Sequence, residues 1–167
     1  MRVVFKITRP LLRTIHTDLS RPHAFALERV GFIVCKPAAL QEGHALLADS
    51  YLPVDDGDYL DDPKYGAMMG PAAIRKALQV AYRGDVSMVH VHRHEHHGDP
   101  EFSRADIVEN GKFIPDFFKV RPSLPHGALV LSHNSMFGEV WEPESGRRRP
   151  FDQLTVVGRP IFSWWRR

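Results

Sequence analysis

The spacing of apolar residues along the chain predicts alternating strands and helices. Branched and aromatic residues cluster in seven runs that we interpret as strands, at residues 2–8, 30–35, 44–54, 86–92, 128–131, 139–141 and 154–157. Apolar residues at helical spacing follow Pro10, and we expect that helix to kink near Pro22 and continue through residues 23–28. Further helices are predicted over residues 71–82 and, with Ser103 as the N-cap, over residues 103–110.

The order of these elements predicts the fold class. Helices and strands alternate early in the chain and strands cluster late, which is typical of an α/β (α+β) domain with one curved mixed sheet flanked by helices. The length of 167 residues suits a single domain with a substantial core, so we expect residues 1–167 to form one unit. The 43% of hydrophobic and 25% of charged residues are ordinary for a globular protein.

Charge and composition exclude several function classes. A net charge of +2 is too small to indicate binding to nucleic acid or to a membrane surface. The longest apolar runs are too short to cross a bilayer, and the N-terminus has no signal-peptide pattern. A single cysteine, Cys35, excludes an internal disulfide, and we therefore expect a cytoplasmic protein. We interpret the arginines at 147–149 as a solvated turn, and the Trp-rich tail as packing against the sheet or a partner protein.

Five of the ten histidines fall between positions 90 and 97. His90 and His92 end a predicted strand, where residues two apart face the same side, so both imidazoles can bind one ion. Asp106 lies in the first turn of the helix that follows Ser103 and can supply a third ligand. A catalytic zinc site uses three such protein ligands and a water. The sequence therefore predicts one zinc ion per chain, held by His90, His92 and Asp106.

The histidine tract also allows other interpretations. His94 and His96 form a second H-x-H pair, which can replace or supplement the first as metal ligands. The whole tract can equally be a polar loop that binds metal without catalysis. His92, Glu95 and His96 match the inverted zincin pattern, but that pattern requires a helix, and a glycine and a proline follow at once.

A wider pattern resembles the metalloprotease motif of the JAMM (MPN-domain) family. That motif consists of a distant glutamate, an H-x-H pair and an S-x-x-D segment. In this chain the matching residues are Glu28, His90 with His92, and Ser103 with Asp106. The glutamate precedes an apolar strand, as it typically does in the family, and the resemblance covers about residues 26–158. It implies an MPN/JAMM-like (cytidine-deaminase-like) architecture.

Two features depart from the family pattern. Ten residues separate His92 from Ser103, where the family usually has about seven, and Arg93 stands where a proline commonly follows the second histidine. The pair of His94 and His96 leaves six residues before Ser103, which is nearer the usual gap. We favour His90 and His92 because an apolar strand runs directly into them.

The resemblance implies a mechanism. It assigns Glu28 as the general base that takes a proton from the attacking water and passes it to the leaving amine. It assigns Ser103 as a hydrogen-bond donor to the oxyanion, although the same serine also suits a purely structural N-cap. Cys35, which has no histidine partner nearby in sequence, is interpreted as a buried small apolar residue.

The resemblance also implies a substrate class. Family members cut an isopeptide or linear peptide bond after the C-terminal tail of ubiquitin or a ubiquitin-like protein, and small stand-alone bacterial members accompany ubiquitin-like conjugation systems. We therefore expect a deubiquitinase-like or precursor-processing zinc hydrolase with partner conjugation enzymes. Residues 44–70 lie where the family carries a substrate-binding insertion, and a plain surface loop is the alternative for them. The alternatives are a catalytically inactive MPN-like scaffold and a histidine-rich metal-binding protein without catalysis.

Overall fold

One mixed β-sheet forms the centre of the protein. The computed structural model describes residues 1–62 and 66–165. The strands are β1 (Arg2–Thr8), β2 (Val30–Leu40), β3 (Gly43–Pro53), β4 (Ser87–Arg93), β5 (His126–Leu131), β6 (Met136–Trp141), β7 (Arg148–Pro150), β8 (Gln153–Val157) and β9 (Phe162–Trp165). The α-helices are α1 (Arg9–Leu19), α2 (Pro71–Arg83) and α3 (Arg104–Phe113), and two 3₁₀ helices lie at Asp56–Asp58 and Ile114–Lys119.

The strand order is β7-β6-β5-β4-β2-β3-β1-β8-β9. β1 runs parallel to β3 and β8, and β4 runs parallel to β5, whereas the other pairs are antiparallel. Phe5 and Leu154 join Leu129 and Val140 in one apolar cluster, although their strands lie far apart in this order. The sheet therefore curls around that cluster. These observations confirm the predicted α+β class and the curved mixed sheet flanked by helices.

Alternating side chains of the central strand β4 divide between two apolar cores. Val89 and Val91 enter the cluster inside the curl, which Ile15 of α1 helps to close. Met88 enters a second cluster on the other face, together with residues of α2 and α3. Because side chains alternate along a strand, the histidines of β4 share the face of Met88 and lie beneath α3. The packing of β4 therefore decides which way the histidine tract points.

The predicted helical continuation through residues 23–28 is wrong. α1 ends at Leu19, and the side chain of Leu27 is 85% exposed instead of buried. Pro22 offers no backbone N–H to continue a helix. The Nδ1 atom of His23 instead accepts hydrogen bonds from the backbone N–H groups of Phe25 (3.3 Å) and Ala26 (3.0 Å). This local turn replaces helical bonds and leads the chain into β2.

The C-terminal third of the chain contains two strands more than the sequence predicts. Arg148–Pro150, expected as a solvated turn, pairs with β6 as β7. The Trp-rich tail pairs with β8 as β9, an edge strand. α3 also continues through Gly111 to Phe113, beyond its predicted end. Within the described residues, no helix is long and apolar enough to cross a membrane.

His126 makes folding stability depend on pH. Its buried Nδ1 atom accepts the backbone N–H of Met88 at 3.0 Å, and burial lowers the pKa of the imidazole to about 4. In the unfolded chain the pKa of His126 is near 6.5. Between pH 6.5 and pH 4 the unfolded chain therefore binds a proton there that the folded chain does not. The stabilising effect of neutral His126 is complete above pH 6.5 and is lost as the pH falls towards 4.

We expect acid to destabilise the wild type more than a His126→Gln variant, whose amide oxygen can still accept the Met88 N–H. Between pH 7 and pH 4 the unfolding free energy of the wild type should fall by about 3 kcal/mol more than that of the variant. Denaturant unfolding of both proteins at several pH values in that range measures it. Parallel pH profiles for the two proteins would refute the assignment.

Candidate metal centre

The pairing of β2 with β4 brings Glu28 to the histidine tract. The two strands are antiparallel, and Val30 lies opposite His92. In an antiparallel pair, each step back along one strand is matched by a step forward along the other. Continued by two residues, this register places Glu28, just before β2, opposite His94, just after β4. The predicted base and the histidine tract therefore meet at one end of the strand pair.

The turn that carries Glu28 is held by its neighbour Arg29. The Arg29 guanidinium is buried and donates hydrogen bonds to the carbonyls of Arg21 (2.8 Å) and Pro22 (2.9 Å) and to Asp56 (2.7 Å). The backbone N–H of Glu28 also donates to the Gly66 carbonyl at 3.1 Å. Buried polar groups that find partners in this way favour one backbone conformation. The position of Glu28 is thus fixed from both sides.

The start of α3 brings Asp106 to the same place. Ser103 is the N-cap, as predicted: its Oγ accepts the Asp106 N–H at 3.2 Å, and Oδ2 of Asp106 accepts the Ser103 N–H at 2.7 Å. This reciprocal capping box fixes the carboxylate over the end of β4. The Ser103 side chain also hydrogen-bonds to the Asp106 carboxylate, which helps to lower the pKa of that carboxyl group.

Three ligand atoms converge at this point. His92 Nε2 lies 3.2 Å from His94 Nε2 and 3.4 Å from Asp106 Oδ2, and His94 Nε2 lies 3.6 Å from the same carboxylate oxygen. Tetrahedral ligands at zinc bond lengths of about 2.0–2.2 Å lie about 3.3–3.6 Å from one another. The triangle therefore has the dimensions of one face of a zinc coordination tetrahedron.

Glu28 lies beside this triangle. One of its carboxylate oxygens is within 4.8 Å of ligand atoms of both His92 and His94, so these three residues could hold a metal ion as well. The group lines a cleft of about 190 Å³ that Ser103 and Asp106 also border. Two imidazoles and two carboxylates thus converge on one small cavity.

His90 lies two residues before His92 on β4, outside the triangle. Its side chain is 7% exposed, its Nδ1 atom contacts Asn110 Oδ1 at 2.9 Å, and its ring stacks on His92 with centroids 5.9 Å apart. It also lines the cleft, and its Nε2 atom is buried without a hydrogen-bond partner among the described residues. His90 is therefore absent from the group of converging ligand atoms, although it shares their face of β4.

Burial favours the neutral forms of His90 and His94. Burial lowers the pKa of His90 to about 3. Burial and the proximity of His92 lower the pKa of His94, against the opposing effect of Glu28 and Asp106. Burial works to raise the pKa of Asp106, but the hydrogen bonds and charge of His92 and the bonds of Ser103 outweigh it and hold that pKa well below its usual range. A neutral imidazole and an ionised carboxylate are the forms that bind metal.

No protein-family model and no curated protein matches this chain. The interpretation of the centre therefore depends on its own geometry. All five predicted site residues line the cleft, and of the predicted histidines only His92 belongs to the group of converging ligand atoms.

His94 is the residue that the first choice of histidine pair omitted. His92 and His94 themselves form an H-x-H pair, and eight residues, 95–102, separate His94 from Ser103. That spacing is closer to the family's seven than the ten residues of the first pair. His96, the other member of the alternative pair, is exposed and its Nδ1 atom contacts the His97 carbonyl at 2.9 Å.

Cys35 takes no part in the centre. It is buried in the cluster inside the curl, on the far side of the sheet from α3. Burial raises the pKa of its thiol, which keeps it protonated and unreactive. This agrees with its interpretation as a small apolar residue.

Proposed function

We propose that this protein is a zinc-dependent peptidase or isopeptidase, with one zinc ion bound by His92, His94 and Asp106. The observation that carries the proposal is the triangle of 3.2, 3.4 and 3.6 Å between the ligand atoms of these residues. Two nitrogens and one oxygen match the donor set of catalytic zinc sites, which leave one position for water and substrate. His90, the ligand first predicted from sequence, is replaced in this proposal by His94.

The side chains around the triangle suit peptide-bond hydrolysis. A zinc ion bound there would lower the pKa of a bound water and polarise the substrate carbonyl group. Glu28 accepts the proton of the attacking water and returns it to the leaving amine, which its place beside both imidazoles allows. Ser103 lines the cleft, and its O–H, which hydrogen-bonds to the Asp106 carboxylate, would turn to the oxyanion as that forms.

The order of these residues along the fold supports a JAMM-like (MPN-domain) architecture. A glutamate precedes β2, an H-x-H pair ends β4, and an S-x-x-D segment begins α3. The capping box explains why a serine and an aspartate are spaced three apart, since each caps the other. The family likeness is part of the proposal and is supported by this arrangement alone.

We further propose a ubiquitin-like protein, or its conjugate, as the substrate, with conjugation enzymes as partners. Gly66, Ala67, Met68 and Met69 line the cleft, so the expected substrate-binding segment does border the centre. Residues 63–65 of that segment lie outside the described residues. An extended tail can enter between this segment and α3.

The choice of histidines gives the test of the proposal. We expect purified wild type to hold one zinc ion per chain, His94→Ala to lose it, and His90→Leu to retain it. His90→Leu keeps a buried side chain of similar size, so its fold can be verified by thermal unfolding. Inductively coupled plasma mass spectrometry measures the metal content. If His90→Leu loses zinc and His94→Ala keeps it, the ligands are His90, His92 and Asp106, as first predicted from the sequence.

Cleavage is tested on linear fusions of a ubiquitin-like protein to a reporter, with and without a zinc chelator. Chelator-sensitive cleavage after the tail is the expected result. One bound zinc without cleavage of any fusion or conjugate would favour the scaffold alternative. Several ions per chain, unaffected by His94→Ala, would favour metal binding without catalysis.

A further inference from the structure

A second and larger cavity lies next to the metal centre. It is a groove of about 820 Å³, and we call it the aromatic groove. Its apolar lining includes Phe102, Ile107, Phe137, Phe151, Trp164 and Trp165. The Trp165 side chain is 63% exposed and that of Ile107 is 39% exposed. Exposed apolar side chains gathered in one concavity are typical of a binding site, whereas single ones are ordinary surface.

The charges in the aromatic groove have one sign. Asp99, Glu101 and Glu139 line it, and no lysine, arginine or histidine is among its described lining residues. Asp99 accepts a hydrogen bond from Ser135 at 2.8 Å, and Glu139 lies 3.4 Å from Arg148, which stands outside the lining. Glu101 is exposed. A basic side chain in the groove would therefore meet the exposed carboxylate of Glu101, and no cation stands among the described lining residues.

The groove also borders strand edges whose backbone groups are open. β9 pairs with β8 on one side only, and its outer edge has no strand partner among the described residues. β9 contributes Ser163, Trp164 and Trp165 to the groove. On the facing side, β7 pairs only with Glu139–Trp141 of β6, so Met136 and Phe137 extend beyond it. An open strand edge presents backbone N–H and C=O groups to any extended chain.

We propose that the aromatic groove binds an extended peptide segment that carries apolar side chains and lysine or arginine, added as a strand to β9. The open edge supplies backbone hydrogen bonds, the apolar side chains pack against the aromatic rings, and Glu101 pairs with a basic side chain. This binding does not depend on the proposed hydrolysis. Phe102 lines the groove, its ring centroid lies 6.0 Å from that of His92, and it directly precedes Ser103. A bound segment therefore lies beside the metal centre.

The probe is a fluorescein-labelled octapeptide of alternating valine and lysine, measured by fluorescence anisotropy against the full chain. A matched peptide with glutamate in place of lysine is the charge control. We expect saturable binding of the lysine peptide and at least about tenfold weaker binding of the glutamate peptide. N-methylation of alternate peptide bonds in the lysine peptide should also abolish binding, because it removes the donors for strand addition.

Two variants locate the binding site. Trp165→Ser removes an exposed ring of the groove, and we expect it to weaken binding of the lysine peptide by at least about tenfold. Leu40→Ser removes a side chain that is 40% exposed at the end of β2, outside the groove lining, and should leave binding unchanged. Asp106→Asn should bind the peptide like the wild type, which separates this proposal from the zinc chemistry.

Three outcomes would overturn the proposal. The first is equal binding of the lysine and glutamate peptides, and the second is binding that Trp165→Ser leaves unchanged. The third is a dimer in analytical ultracentrifugation that Trp165→Ser dissociates, because the occupant would then be a second copy of the chain.

Discussion

Asp106→Asn should release the zinc ion and with it the hydrolytic activity. The carboxylate supplies the oxygen of the ligand triangle, and a neutral amide oxygen is a far weaker ligand. Loss of an outer-shell partner alone typically weakens metal binding by about 10–100-fold, so we expect more than about 100-fold for this ligand. Zinc titration with a competing chelator measures the change in affinity, and cleavage of a ubiquitin-like fusion measures the activity.

Asparagine is the informative substitution because it preserves the start of α3. Its side-chain oxygen can still accept the Ser103 N–H, whereas alanine would remove that half of the capping box. The unfolding free energy of the metal-free variant should therefore stay close to that of the metal-free wild type. Any loss of zinc then reports on the ligand and not on the helix.

Glu109 offers a matched control on the same helix. It also lines the cleft, one turn after Asp106, and pairs with Lys112 at 2.7 Å. Glu109→Gln removes one negative charge from the cavity but leaves the triangle intact, so it should keep one zinc ion. Equal zinc affinity for Asp106→Asn and the wild type would show that Asp106 is not a ligand.

The elements with strong apolar patterns could be predicted from the sequence, and those set by tertiary pairing could not. β1 and α2 follow closely the runs of branched residues and the helical spacing that predict them. β7 and β9 are short segments rich in arginine or tryptophan, and they become strands because neighbouring strands offer them an edge. β-structure depends more on its neighbours than on intrinsic preference. The aromatic groove arises from the curl of the sheet, which no local pattern encodes.

The metal centre shows the same division. The order of Glu28, an H-x-H pair, Ser103 and Asp106 is legible in the sequence, because each residue sits at a predicted strand end or helix start. The sequence does not show which two histidines form the ligand pair, because His90, His92 and His94 all fall on one face of an alternating strand. The choice depends on where β4 ends and on its pairing with β2. That pairing places His94 beyond the last paired residues and opposite the turn that carries Glu28. The number of residues between the second histidine and Ser103 is the one local signal that favours His92 and His94.

Glu28→Gln should abolish hydrolysis while leaving zinc bound. Glutamine keeps the size of the side chain and can hydrogen-bond to water, but it cannot accept a proton. Loss of a positioned general base typically lowers the rate by about 10²–10⁴-fold, and we expect a fall in kcat of that size. Single-turnover cleavage of a ubiquitin-like fusion, with zinc content measured on the same sample, gives both quantities. Glu95→Gln, which changes an exposed glutamate paired with Arg93, is the matched control and should retain full activity.

The zinc content of Glu28→Gln also decides between the two carboxylates. Glu28 lies within 4.8 Å of the ligand atoms of His92 and His94, so proximity alone allows it to be a ligand in place of Asp106. A variant that keeps zinc and loses kcat assigns Glu28 to proton transfer and leaves the third coordination position to Asp106. If Glu28→Gln instead loses zinc and Asp106→Asn keeps it, Glu28 is the third ligand and Asp106 is not. The capping box would then serve only to start α3, and the base would have to come from Asp106 itself.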